Sequence, residues 1–276
     1  MAEPETHRVT ESTASTRSVE AAGLACIACG SEQYLDAGRP GRALRCASCD
    51  LADAAEGLVG LAWLDNEGSA VDYRPSAFVP SLLPAIRSEV GWQSHSDRLS
   101  DGALVAQPRL IAYQADDVSF VYSYTGIAAP LIPTPLTPAV AALRTLVEVM
   151  TGESFNSVHL NLYRTGADHV SWHTDEDAAL YGDAPTIASV SFGAEREFVL
   201  RRMGGTPYTD GWLPVDPPRL VRYRLGAGDL LVMRGATQRH WEHMLAKTGA
   251  GALGEAAGAA ERVNLTFRRT VARGPP

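Results

Sequence analysis

Hydrophobic and polar residues strictly alternate in the segment RVNLTFR, Arg262 to Arg268. Val263, Leu265 and Phe267 fall between Arg262, Asn264, Thr266 and Arg268. That is the period of a β-strand with one apolar face and one face carrying two guanidinium groups, an amide and a hydroxyl. The same short-strand pattern runs through the second half of the chain: SFNSVHLNLYR, HVSWHTD, TIASVSFG, REFVLRRM, RYRLGAGDLLVM and HWEHML, separated by Gly-, Asp- and Pro-rich turns. Upstream, PRLIAYQ and VSFVYSYTG read as strands joined by a turn at Ala115-Asp116-Asp117. LLPAIRSEV and AVAALRTLVEVMTG have helical spacing, the second closed by Gly152. APLIPTPLTP is a loop. Many consecutive short strands with few helices predict a sandwich or barrel rather than a parallel α/β sheet. No internal repeat is evident.

At 276 residues the chain suits one large domain with a small appendage. No apolar run reaches the ~18 residues of a membrane span. Residues 1–20 are polar and acidic, lack the apolar stretch of a secretory signal, and read as a disordered tail. A cytoplasmic monomer that does not contact a membrane is expected. The net charge of −8 argues against a general nucleic-acid binder. Charge is uneven, however. Between Arg196 and Arg239 lie eight arginines and four acids, and between Arg262 and Arg273 four arginines and no acid. A local basic surface is therefore conceivable.

The four cysteines are Cys26, Cys29, Cys46 and Cys49, in the pattern C-x2-C-x16-C-x2-C. Two tight pairs separated by a hairpin's length can offer four thiolates to a structural Zn(II). A module over residues 21–58 is too small to fold on its own core, so the metal would supply folding free energy. Redox pairs or an iron–sulfur centre are the alternatives.

WHTDED places His173 and Asp175 two residues apart, on one side of a strand. A third ligand from a neighbouring strand would complete a two-histidine, one-carboxylate triad, the donor set of non-haem Fe(II) oxygenases. His243, 68 residues beyond Asp175, is the best candidate. His159, His169 and His240 read as non-ligands, and Trp172 as core. A cosubstrate such as 2-oxoglutarate would then need a buried cation for its far carboxylate, and the fork of an arginine fits one. Arg262 and Arg268, roughly 20 Å apart along a strand, could bracket it.

In this order NLY (Asn161 to Tyr163), HTDED, SVSFGAEREFVLRR, His243 and RVNLTFR resemble the AlkB family of Fe(II)/2-oxoglutarate dioxygenases, which repair alkylated nucleic acids. The resemblance covers about residues 72–270 and extends to the aromatic pair Tyr122 and Tyr124 in YSYTG. It implies a mainly β domain over 72–276, a double-stranded β-helix or jelly roll with flanking helices, preceded by the zinc-ribbon-like module. It implies Fe(II) on His173, Asp175 and His243, with O2 as oxidant. It assigns 2-oxoglutarate to Asn161, Tyr163, Arg262, Asn264, Thr266 and Arg268. Tyr122, Tyr124, Asp177, Arg201 and Arg202 become candidate contacts to a DNA or RNA substrate. The implied reaction is oxidative demethylation of bases such as 1-methyladenine and 3-methylcytosine, releasing formaldehyde, succinate and CO2. Each has a plainer reading: half-buried tyrosines, a turn-solvating Asp177, solvated arginines, and a polar strand face at Asn161 and Tyr163. Two other functions are open: a hydroxylase acting on a protein or small molecule, and a non-catalytic zinc-ribbon nucleic-acid adaptor.

Overall fold

A computed structural model describes residues 59–65, 67–124, 126–204, 220–248 and 260–271 with their side chains, and several short strands beyond these as backbone alone. In chain order the strands begin with β1 (Ser18–Glu20), β2 (Gln33–Leu35), β3 (Arg45–Cys46), β4 (Ala54–Glu56), β5 (Gly60–Trp63) and β6 (Ser69–Arg74). A 3-10 turn leads into α1 (Leu83–Glu89), then β7 (Gln93–Arg98), β8 (Leu104–Ala115) and α2 (Pro138–Thr151). Next come β9 (Ser157–Tyr163), β10 (Val170–His173), α3 (Ala178–Tyr181), β11 (Ile187–Gly193), β12 (Arg196–Tyr208) and β13 (Gly211–Pro214). The chain continues through β14 (Leu220–Leu225), β15 (Leu230–Gly235), α4 (Thr237–His240), β16 (Trp241–Leu245) and β17 (Arg262–Arg268). The tail expected over 1–20 and the cysteine module expected over 21–58, with the candidate zinc ligands Cys26, Cys29, Cys46 and Cys49, lie outside the residues described with side chains.

Two sheets build the domain. The larger is antiparallel throughout, in the order β5-β6-β15-β11-β17-β9-β8-β7. The smaller runs β10-β16-β12-β14, with β4 added in parallel to β14 and β13 paired to β12. This is a mainly β architecture consistent with the jelly roll expected. The larger sheet reaches back to Gly60, so the domain start expected near Asp72 falls inside β6.

Strand periodicity divides the core in two. Val158, Leu160 and Leu162 of β9, Ala188, Val190 and Phe192 of β11, and Val263, Leu265 and Phe267 of β17 share one face of the large sheet. There they pack with Ile86 of α1 and with Val140, Leu143 and Val147 of α2. Pro138 at its first turn and Gly152 at φ 72° bound α2, as a fixed φ and a left-handed cap require. Because α2 covers one face, the intervening residues of β9, β11 and β17 point toward the small sheet. A second core of Ile187, Phe198, Leu200, Tyr223, Trp241 and Leu245, among others, fills part of that space.

Three sequence expectations change. VSFVYSYTG is irregular rather than a strand; Tyr122 makes only an isolated bridge to Leu131. HWEHML splits, with His240 ending α4 and β16 starting at Trp241. HVSWHTD is a strand only to His173. No helix among the described residues is long and apolar enough to cross a membrane.

Leu265 is fully buried in the helix-facing core, midway along the strand that carries the inward polar row. Leu265→Ala is expected to lower stability by about 2–5 kcal/mol. The shift of the urea unfolding midpoint at unchanged slope measures it.

Candidate active site

The polar face of β17 looks inward. Arg262, Asn264, Thr266 and Arg268 are all buried. With residues of β8, β9, β10 and β16 they line a cavity of about 310 Å³ between the sheets. The cost of burying so much polarity is limited by internal bonding. Asn264 donates to the Ser189 hydroxyl at 2.7 Å and to the Val190 carbonyl at 3.1 Å, and the Thr266 hydroxyl donates to Asn264 Oδ1 at 3.0 Å. The antiparallel register sets Asn264 beside Asn161 and Arg262 beside Tyr163.

β10 and β16 pair so that His173 faces His243. Their ring centroids are 4.3 Å apart. Asp175, just past the end of β10, brings Oδ1 to 3.9 Å from His173 Nε2 and Oδ2 to 3.8 Å from His243 Nε2. One donor atom from each residue lies within 4.8 Å of the others. His173 Nδ1 is 2.8 Å from the Ser171 carbonyl, which calls for a proton on Nδ1 and leaves the Nε2 lone pair facing the carboxylate. Gln238 Oε1 accepts the backbone N–H of Asp175 at 2.8 Å and fixes its position.

The electrostatics favour an empty-handed donor set. Burial works against the Asp175 carboxylate, but Arg268 Nη2 at 2.8 Å and the two imidazoles outweigh it and hold the carboxyl below the usual range. Burial, with His173 alongside, pushes His243 down to about 3, and burial lowers His173 as well. All three side chains are thus in the ionisation states a divalent metal takes.

Arg262 is the other unusual group. It is 2% exposed, donates to the Ser191 hydroxyl at 2.7 Å, and lies 5.3 Å from the Tyr163 ring centre. No carboxylate of the described residues is within ion-pair reach, and its Nε has no partner among them. Burial lowers its guanidinium to about 10, so it remains a cation at neutral pH. An unpaired buried cation in a cavity wall suits a carboxylate ligand. The residues present therefore fit a ferrous ion and a keto-diacid.

Other expected contacts divide. Asn161, Tyr163, Tyr122 and Tyr124 line the cavity. Tyr122 packs against Tyr113, Tyr124 and His159 with centroids 5.5–5.7 Å apart. Asp177 is not among the lining residues; it caps α3, accepting from Leu180 N at 3.0 Å. The reason is the early end of β10, which breaks the alternation that would have aimed it inward. Arg201 and Arg202 are also outside the lining. Arg201 pairs with Glu242 and stacks 4.2 Å from the Trp172 ring centre. Arg202 bonds Glu67 at 2.6 Å and the His240 carbonyl at 3.0 Å. Trp172, expected in the core, is instead half-exposed and lines the cavity.

The basic surface suggested by the arginine count is largely neutralised: Arg222 pairs with Glu197, Arg224 with Glu195, Arg234 with Glu153, and Arg239 with Glu176 and Asp183. Arg196 is buried and donates to the carbonyls of Thr165, Gly166, Asp168 and Ala246. Arg109 and Asp97 line the cavity without having been singled out in the sequence, and His159 was read there only as a non-ligand. His159 is buried beside Asn161. Arg109 donates from Nε to Asn161 Oδ1 at 2.8 Å. The available signal was alternation: Gln107, Arg109, Ile111 and Tyr113 share a face of β8, as His159, Asn161 and Tyr163 share one of β9.

A family model for the 2OG-Fe(II) oxygenase superfamily matches residues 80–268. The chain belongs to that superfamily, and membership implies Fe(II), 2-oxoglutarate and O2. Its relatives are narrower in kind. Alpha-ketoglutarate-dependent dioxygenase alkB homolog 3 of Homo sapiens is 35% identical over 188 residues, 68% of this chain and 60% of the relative. DNA oxidative demethylase ALKBH2 of Arabidopsis thaliana is 36% identical over 183 residues, 60% of this chain and 54% of the relative. The chain thus spans about 60% or less of the length of these relatives. Among solved structures, OsALKBH1 is a distant likeness at 17% identity and a TM-score of 0.46, over 76% of this chain and 99% of its own.

Removing Arg268 strands the Asp175 carboxylate in a buried site. Arg268→Ala is expected to destabilise metal-free protein by about 3–5 kcal/mol at neutral pH. Asp175 titrates below its unfolded value of about 3.9, so the pair's contribution is present above that pH and is lost as pH falls through the lower folded value. The gap between wild type and variant therefore narrows toward acid, which denaturant melts across the acid range measure.

Proposed function

We propose that this chain is an Fe(II)- and 2-oxoglutarate-dependent oxidative demethylase of N-alkylated bases in DNA or RNA. The observation carrying the proposal is what one cavity brings together: three clustered metal donors, a buried arginine with no acid partner among the described residues, and two tyrosines in the wall. The similarity to AlkB relatives supports the same reading.

In this reading His173, Asp175 and His243 hold the iron. Arg262 pairs with the far carboxylate of 2-oxoglutarate, and Asn161, Tyr163, Asn264 and Thr266 shape the wall around it. Arg268 keeps Asp175 ionised and oriented. With iron, 2-oxoglutarate and O2 bound, the chemistry supplied is insertion of one oxygen atom into a methyl C–H bond, the other leaving in succinate as CO2 departs. The N-hydroxymethyl base then loses formaldehyde and returns to its unmodified form. A methyl group inside a duplex cannot reach the cavity, so the base enters flipped out or single-stranded. Tyr122 and Tyr124 offer rings for it to stack on, at about 1–3 kcal/mol per stacked base. Arg201 and Arg202 of β12 and Arg222 and Arg224 of β14 are held by glutamates, so phosphate contacts by Arg201 and Arg202 would require those pairs to open.

The proposed organisation keeps a zinc-ribbon-like module over 21–58 and an oxygenase domain from about Gly60 onward. Zn(II) on the four cysteines rests on their spacing alone.

Iron-loaded protein incubated with 2-oxoglutarate and single- or double-stranded oligonucleotides carrying 1-methyladenine or 3-methylcytosine is expected to remove the methyl group, read by mass spectrometry. His173→Ala is expected to abolish turnover. Turnover of peptides or small molecules alone would favour the hydroxylase alternative. Full biological activity in His173→Ala would favour the adaptor.

A further inference from the structure

One carboxylate in the cavity wall is left over once the metal donors are assigned. Asp97 of β7 lines the cavity beside Tyr122, Tyr124 and Arg109. Its backbone is held on two sides, paired with Val105 of β8 and bridged to Ile127. Its side chain is held as well. Oδ1 accepts from Gln107 Nε2 at 2.8 Å and from the Tyr124 hydroxyl at 2.8 Å. The Tyr124 hydroxyl also lies 2.6 Å from Gln107 Nε2. Neither oxygen has a cation within ion-pair reach among the described residues, and Oδ2 accepts no hydrogen bond from them. The nearby Arg109 is turned toward the cosubstrate wall, donating to Asn161 Oδ1 at 2.8 Å and to the His169 carbonyl at 3.5 Å.

A rigid, unpaired carboxylate beside two aromatic rings is a recognition site for a delocalised organic cation. The rings attract positive charge over their faces, and the carboxylate supplies the opposite charge in a partly desolvated wall. Methylation at N1 of adenine or N3 of cytosine leaves the base cationic at neutral pH. Methylation at N3 of thymine leaves it neutral, with the methyl on the same Watson–Crick edge. We propose that Asp97, held by Gln107 and Tyr124, makes this cavity selective for cationic over neutral methylated bases. This rests on the demethylase reading for its substrate class. It differs in placing specificity on Asp97 of β7 rather than on Asp177.

The test compares wild type, Asp97→Asn and Asp97→Glu on short single-stranded oligonucleotides carrying either 3-methylcytosine or 3-methylthymine. Asp97→Asn keeps an acceptor for Gln107 and Tyr124 and removes only the charge. The ratio of kcat/KM for 3-methylcytosine over 3-methylthymine is expected to fall about ten-fold in Asp97→Asn. Asp97→Glu is expected to keep most of the ratio. Equal loss on both oligonucleotides would assign Asp97 a purely structural role and overturn the proposal, as would an unchanged ratio. Binding of the same oligonucleotides, followed by tyrosine and tryptophan fluorescence, separates this from the demethylase reading. If neither is turned over but wild type binds 3-methylcytosine more tightly and Asp97→Asn does not, charge selection stands and demethylation falls. If wild type shows no preference in binding or turnover, charge selection falls.

Discussion

The carboxylate of Asp175 and the guanidinium of Arg268, 2.8 Å apart and both buried, tie the two sheets together where charge would otherwise be intolerable. Asp175 follows the edge strand of the small sheet, and Arg268 ends a central strand of the large one. An ion pair so placed contributes little net stability compared with an apolar pair of the same shape, because both partners are stripped of water. Its consequence is positional. A carboxylate kept ionised and oriented is available to a metal, and the two imidazoles beside it are kept neutral by burial. The rest of the cavity follows from the same constraint: a sheet face that buries polar groups must satisfy them locally or leave them for a ligand.

That division explains which groups of β17 are structural and which are left over. Asn264 and Thr266 are bonded to each other and to β11. Arg268 is consumed by Asp175. Arg262 has a serine hydroxyl and an aromatic ring but no acid. Four inward residues on one strand thus yield one unsatisfied cation, and its isolation, more than its presence, points to an anionic ligand. The helix-facing residues of the same strand give the reciprocal result: Val263, Leu265 and Phe267 are wholly buried and lock the strand so that the inward row has no freedom to turn.

How much of this was legible in the sequence depended on whether the signal was local. The alternation of RVNLTFR and the His-x-Asp spacing are properties of one strand, and both survive folding. The inward turn of Asn161 and Tyr163 was readable for the same reason. Asp177, a candidate contact only through the family resemblance, falls outside the cavity lining because the backbone leaves the sheet after His173. Trp172, read as core, is half-exposed on the edge strand β10, where it lines the cavity and stacks against Arg201. Alternation puts Arg109 on one face of β8 but does not say what that face meets, and Asp97 carries no local mark. Their importance comes from β7 and β8 lying next to β9, a pairing that no single-strand pattern encodes.

Charge was the least legible feature. Counting arginines between Arg196 and Arg239 suggested a basic face, but Glu195 and Glu197 at the start of β12 and Glu242 of β16 lie alongside them, and the field of a paired row falls off quickly. Long-range attraction to a phosphate backbone is therefore weak on that face, and the chain is acidic overall. Discrimination is left to contacts made inside the cavity, at distances where a low dielectric makes one charge count. Within that wall Asp175 and Arg268 neutralise one another, Arg262 is left for an anionic ligand, and Arg109 is bound to Asn161. On the proposed reading, what would remain to face a base is a pair of tyrosine rings and the carboxylate of Asp97, a surface better suited to positive charge than to none.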